Sequence, residues 1–205
     1  MFKTFHQLFA FMIDKNAFAA LRKQVEDYDA LRERVIKTSR DALKLSKGAI
    51  YSMHRNELST AKKQLSDAKK ILDALKNDCA KEPTLLITGT YSEALEEHAE
   101  AQCYYYYLTE KRIPSASELG MDAETYLSGL CDTVGELVRK AVNSVIQGDK
   151  KTALEIKEVV TAIYEELMLF DFRNTQVRRK FDSIKYSLEK LEDLALQLKM
   201  KEHCA

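Results

Sequence analysis

The chain has 205 residues in which 32 Lys plus Arg are balanced by 32 Asp plus Glu, so no global charge draws it to nucleic acid and any basic surface must be local. Six Gly, two Pro, no Trp and 31% charged residues fit one helical domain with a single sizeable core. No stretch approaches the roughly 18 apolar residues of a membrane span, and no membrane partner is expected.

In chain order, Phe2, Phe5, Leu8, Phe9 and Met12 recur at helical spacing and predict a short amphipathic arm, for whose aromatic face a partner subunit is one candidate cover. Ala17 and Ala19 mimic a signal-peptide cleavage pattern, but Asp14 and Lys15 interrupt the apolar run and no cleavage is expected. Residues 18–54 carry Leu21, Val25, Tyr28, Leu31, Val35, Ala42, Leu45 and Ala49 at steps near three and four, which predicts one helix of roughly 50 Å. That is longer than one compact core needs, and it suggests a bundle that also builds an assembly. Residues 57–77 form a second helix that could continue the first, and CAKEPT at 79–84 gives the first clear break. A third helix is expected over 85–111, stopped by Pro114, with 86–91 the nearest approach to a strand. A short turn or helix follows at 115–119. Asp122 is a candidate N-cap for the next helix, whose stop is expected at Gly148, and two further long helices complete the chain. Cys79, Cys103, Cys131 and Cys204 are widely spaced without metal-ligand patterns and read as free thiols of a reducing cytoplasm.

Chemistry concentrates on two helices. In 126–149, YLSGLCDTVGELVRKAVNSVIQGD, the residues Leu127, Leu130, Val134, Leu137, Val138 and Val145 make a buried stripe, with Asp132 and Glu136 one turn apart at its edge. In EALEEHAEAQCYYYYL, Glu93, Glu97 and Glu100 share a face, with Glu96 and His98 beside it. Such spacing alone reads first as a solvated acidic face. Like charges that close repel, however, and a second acidic pair on another helix points to a divalent cation held by hard oxygens. His98 is rotated by about 100° from Glu97 and is expected at the surface. A ferritin-like di-iron site is disfavoured, because Lys3, Tyr51, Leu95 and Met200 stand where Glu-x-x-His motifs need Glu. Of Tyr104 to Tyr107, some must face core or interface, leaving one or two free to stack on bases. Arg34, Lys37, Arg40, Lys44, Lys47 and Arg55, with Arg178, Arg179 and Lys180, are ordinarily solvated faces but would supply phosphate contacts.

The runs YDALRERVIKTSRDALKLSKGAIYSMHR, EEHAEA, YLSGLCDTVGELVRKAVNSVIQGD and VRRKFDSIKYSLEKLEDLALQLK resemble the translin superfamily in order and spacing, over about residues 27–199. RRKFDSIKY is similar to the translin branch, whereas the acidic pattern is similar to the branch of translin-associated factor X (TRAX). The resemblance implies an all-α bundle of about six or seven helices and a hollow homo-oligomer, an octamer by analogy, enclosing single-stranded RNA or, alternatively, single-stranded DNA. It further implies a Mg2+-dependent endoribonuclease, with Mn2+ as a substitute ion. Glu97 and Glu100 match the Glu-x-x-Glu pair of that family's metal site and Asp132 its Asp, so these three are expected as catalytic metal ligands and Glu136 as a fourth catalytic member. The basic nuclear-targeting leader and the insertion before YLSGL found in eukaryotic forms are missing, which implies a compact prokaryotic or archaeal type. Two rivals stand beside this reading: a translin-like single-strand binder without catalysis, and a helical scaffold with little salt-dependent affinity for nucleic acid.

Overall fold

Buried positions in the first helix, α1 (Lys15–His54), include Val35, Ser39, Ala42, Ser46, Ala49 and Met53, and those in α2 (Leu58–Lys81) are Ala61, Leu65, Ala68, Leu72, Leu75 and Cys79. Both sets step alternately by four and three, the repeat that lets two helices interlock along a seam. The chain reverses between them where Asn56 adopts a left-handed φ of 61°, a conformation Asn tolerates better than bulkier residues. The pair therefore runs antiparallel, with Ser52 bonded to Gln64 near the turn and Arg34 paired to Asp78 far from it. The second helix does not continue the first.

The computed structural model describes residues 13–203, so the predicted aromatic arm at 2–12 lies outside the described residues. After α2 come a 3-10 helix (Pro83–Thr88), α3 (Thr90–Glu110), α4 (Ala116–Leu119), α5 (Ala123–Ile146), α6 (Lys150–Met168) and α7 (Gln176–His203). The architecture is all-α, and no strand occurs among the described residues. Residues 86–91, the nearest to a strand, are split between the end of the 3-10 helix, which Pro83 opens and Gly89 closes at φ 72°, and the start of α3, which begins five residues later than expected. Asp122 caps α5 by accepting from the Thr125 N–H at 3.0 Å. Gly148, at φ 85°, ends that helix as the sequence predicts.

Helix α1 packs on α2 and α3, α3 on α5, and α5 on α6 and α7. A smaller apolar cluster joins α1, α2 and the start of α3 through Val35, Leu72, Leu75, Leu85 and Tyr91. The larger one runs from Met53 and Tyr104 through Leu137 to Ile156, Ile184 and Leu191. No described residue before Val35 is buried, and Phe18, Leu21 and Val25 form an exposed apolar row on this protruding start of α1. No helix among the described residues is long and apolar enough to cross a membrane.

Candidate carboxylate centre

Helix α5 meets α3 at Gly129. A Cβ at this position would lie 2.5 Å from the Ala99 Cβ and 2.7 Å from the Glu96 carbonyl oxygen, so only glycine allows the two backbones to approach this closely. One turn on, the Thr133 hydroxyl donates to the Gly129 carbonyl at 2.8 Å and reaches the Glu100 carbonyl at 3.3 Å. This contact fixes the acidic pair of α3 against that of α5.

Glu97, Glu100 and Glu136 line a cavity of about 260 Å³ together with Lys47, Ile50, Tyr51 and Arg139. Asp132 does not line this cavity, but it is close enough that its charge acts on both Glu97 and Glu100. Glu100 is only 9% exposed. Its carboxyl is pushed up to about 8, by burial first and then by Glu97, Asp132 and Glu136, with Lys180 opposing. Burial also raises Glu97, against the pull of Lys47, and raises Asp132, against the pull of Lys180.

Three of the four acids are turned to cations of the chain itself. Lys47 stands 3.7 Å from Glu97, Lys180 2.6 Å from Asp132, and Arg139 3.8 Å from Glu136. His54 Nε2 also bonds Glu136, and its Nδ1 faces the Tyr104 hydroxyl at 3.4 Å. With the side chains so placed, no three His, Cys, Asp or Glu groups among the described residues form a ready metal cage. Glu100 is the exception: its carboxylate has neither a hydrogen bond nor an ion pair among the described residues. A buried, unpartnered carboxyl facing three more acids is a donor set for a hard divalent cation, which needs few protein oxygens because it keeps several waters. Glu97, Glu100 and Asp132 are the residues that could hold Mg2+ or Mn2+, were Glu97 and Asp132 to turn from their lysines.

The basic residues divide into two groups. Lys37, Arg40, Lys44 and Lys47 follow one stripe along α1, and the first three are exposed without an ion pair among the described residues. The stripe ends at Lys47 and Tyr51, inside the acidic cavity. Arg34 and Arg55 are engaged by Asp78 and Glu57, and Arg178 by Asp182. Arg179 is exposed. Lys180 does not face solvent: it bridges Asp132 and Glu96, the latter also bonded by Ser128 at 2.5 Å.

His98 overturns the surface expectation. It is 4% exposed, bonded to Ser46 and Gln102, and burial holds it down to about 4. Helix α3 is enclosed by α1, α2 and α5, so a side chain 100° from the acidic face meets another helix instead of water. Tyr104 and Tyr107 are buried, whereas Tyr105 and Tyr106 are partly exposed, with Arg112 stacked 4.8 Å over Tyr106. Glu93 is exposed and lies away from the cavity. Sequence reasoning passes over His54 and Tyr51, which reach the site from a distant helix, and Ser128 and Arg139, which lie on α5 within one turn of Asp132 and Glu136.

A family model described as the Translin family matches residues 30–202. The chain belongs to the Translin family. It is 33% identical over 81 residues to translin of Gallus gallus, a match covering 40% of this chain and 35% of that protein. With translin-associated protein X of Rattus norvegicus it shares 22% identity over 228 residues, covering 90% of this chain and 78% of the relative. Among solved structures, apo-NeC3PO superposes with a TM-score of 0.83 at 29% identity, covering 90% of this chain and 98% of that one. A complex of AfC3PO with duplex RNA superposes with a TM-score of 0.82 at 26% identity, covering 90% and 97%. This Translin family chain is thus similar to the X-type relative along nearly its whole length and to translin over a shorter segment.

Proposed function

We propose that this protein is a divalent-metal-dependent endoribonuclease that cuts single-stranded RNA within a homo-oligomer. The observation that carries the reading is the buried, unpartnered Glu100 among Glu97, Asp132 and Glu136, at the inner end of the Lys37–Arg40–Lys44–Lys47 stripe. A row of lysine and arginine is a track for a phosphodiester backbone, and it carries no base information, so weak sequence preference is expected. The similarity to a protein solved with duplex RNA supports RNA as the polymer.

In this reading Glu97, Glu100 and Asp132 hold Mg2+ or Mn2+. When bound, the ion lowers the pKa of water and neutralises charge at the scissile phosphate. Lys47 and Arg139 offset the charge of the incoming phosphodiester at the cavity mouth, and Tyr51 offers a flat face beside it. Glu136 is positioned by His54 and Arg139 to accept a proton from the attacking water. Hydrolysis then adds water across one P–O bond of the backbone.

The second reading, a single-strand binder, is favoured by the pairing of Glu97, Asp132 and Glu136 with Lys47, Lys180 and His54, as acids with a purely structural role would be. A circular, uniformly labelled single-stranded RNA separates the two. Linear products formed with Mg2+ or Mn2+ and abolished by EDTA support the endonuclease. Tight binding with the circle left intact in both metals supports the binder.

A further inference from the structure

Lys180 stands in the first turns of α7 beside the buried row Val177, Phe181 and Ile184, so its aliphatic stem is held by packing and its ammonium is delivered inward. The Nζ lies 2.6 Å from Asp132 and 2.7 Å from Glu96, and its side chain is 20% exposed. Two of its three donors are thereby used on carboxylates of α5 and α3, and the Ser128 hydroxyl fixes the Glu96 oxygen from the other side. This is not the geometry of a lysine waiting for a phosphate. Burial works against the charge of Lys180, but hydrogen bonds and ion pairs with Asp132 and Glu96 outweigh it and raise its pKa. The ammonium thus sits against two carboxylates of the acidic cluster, and its field reaches Glu100 as well.

We propose that Lys180 is a resident counter-cation that competes with the divalent ion for Asp132, so that the docking of α7 sets how tightly metal is held. The inference rests on the metal-dependent reading above. A divalent cation drawn to Asp132 meets the ammonium across a single carboxylate. Repulsion between like charges that close, in a partly buried site, outweighs the modest benefit of a hydrogen bond that merely orients Asp132. The apolar row Val177, Phe181 and Ile184 is buried by its own packing, so α7 is expected to dock without the ion pair.

The test is Mn2+ affinity of the full chain, by calorimetry and by the paramagnetic signal of free Mn2+, for wild type, Lys180→Met, Lys180→Gln and Lys180→Arg, each checked for unchanged helicity and oligomer size. Lys180→Gln keeps donors for both carboxylates without the charge, so it distinguishes charge from orientation and serves if the Met variant misfolds. Competition predicts binding about tenfold tighter or more in the Met and Gln variants, a larger Mn2+-induced rise in melting temperature, and wild-type affinity for Arg. Unchanged or weaker binding in the Gln variant, with wild type still binding, overturns the competition alone. Absence of saturable Mn2+ binding in wild type and all variants overturns the metal centre itself, and the competition with it.

Discussion

Glu100 makes the stability of the fold depend on pH. Its carboxyl titrates near about 8 when folded against 4.5 as the ordinary value, so between those limits the folded chain keeps a proton that the unfolded chain has released. Stability must then fall as pH rises through this window. The metal-free protein is expected to lose melting temperature from about pH 5 to about pH 8, and Glu100→Gln to flatten that loss. Glu97 and Asp132, also raised by burial, leave a weaker slope of the same sign. A variant as steep as wild type would show that Glu100 is not the group being titrated. At this scale the sequence is informative where one helix suffices: Glu97 with Glu100, and Asp132 with Glu136, are legible as pairs from spacing alone. It is silent where a partner comes from far along the chain. His54 meets Glu136 across 82 positions and Lys180 meets Asp132 across 48, and nothing local marks either. Lys180 in particular reads as one of three adjacent basic residues, and only the packing of Val177 and Phe181 turns it inward.

Gly129 and Gly135 occupy the same helix yet should respond oppositely to alanine. At Gly129 the added methyl group would collide with the Ala99 side chain and the α3 backbone, whereas at Gly135 nothing lies within 4 Å. Gly129→Ala is expected to destabilise by about 1–3 kcal/mol and to weaken metal binding by parting the two acidic pairs. Gly135→Ala should stabilise by about 0.5–1 kcal/mol through helix propensity. Chemical denaturation of both variants checks the pair, and equal effects would remove the close approach as the reason for the glycine in YLSGL. Helix identities and most stops were legible, because capping residues and apolar steps are local: Asp122, Gly148 and the short helix at 116–119 are cases. The break at Asn56 was not, since a left-handed non-glycine residue leaves no mark in the hydrophobic pattern. Residues 86–91, which straddle the end of the 3-10 helix and the start of α3, resemble a strand because six residues are too few to separate the two periods.

For the whole molecule, the protruding start of α1 is the feature that needs an explanation. About twenty residues of helix beyond the core are marginal in water on their own, and the row Phe18, Leu21, Val25 is left open. A second copy in the proposed homo-oligomer would cover this row. Phe18→Glu with Val25→Glu should therefore yield smaller species by light scattering and lower helicity, and an unchanged assembly would place the contact elsewhere. The stripe Lys37, Arg40, Lys44 should govern RNA affinity across sequences alike. Replacing all three with Gln should reduce the slope of log affinity against log salt by about two or three, as expected for three lost phosphate contacts, and fluorescence anisotropy over a salt series measures it.

The most direct test of the central claim compares wild type with Glu100→Gln on the same single-stranded RNA, with binding and cleavage followed in parallel in Mg2+ and in EDTA. The account predicts that the variant binds RNA as tightly as wild type and assembles normally, while Mg2+-dependent cleavage falls by about a hundredfold or more. Cleavage that survives the substitution, or that proceeds equally in EDTA, would contradict a metal-dependent site built on this carboxylate.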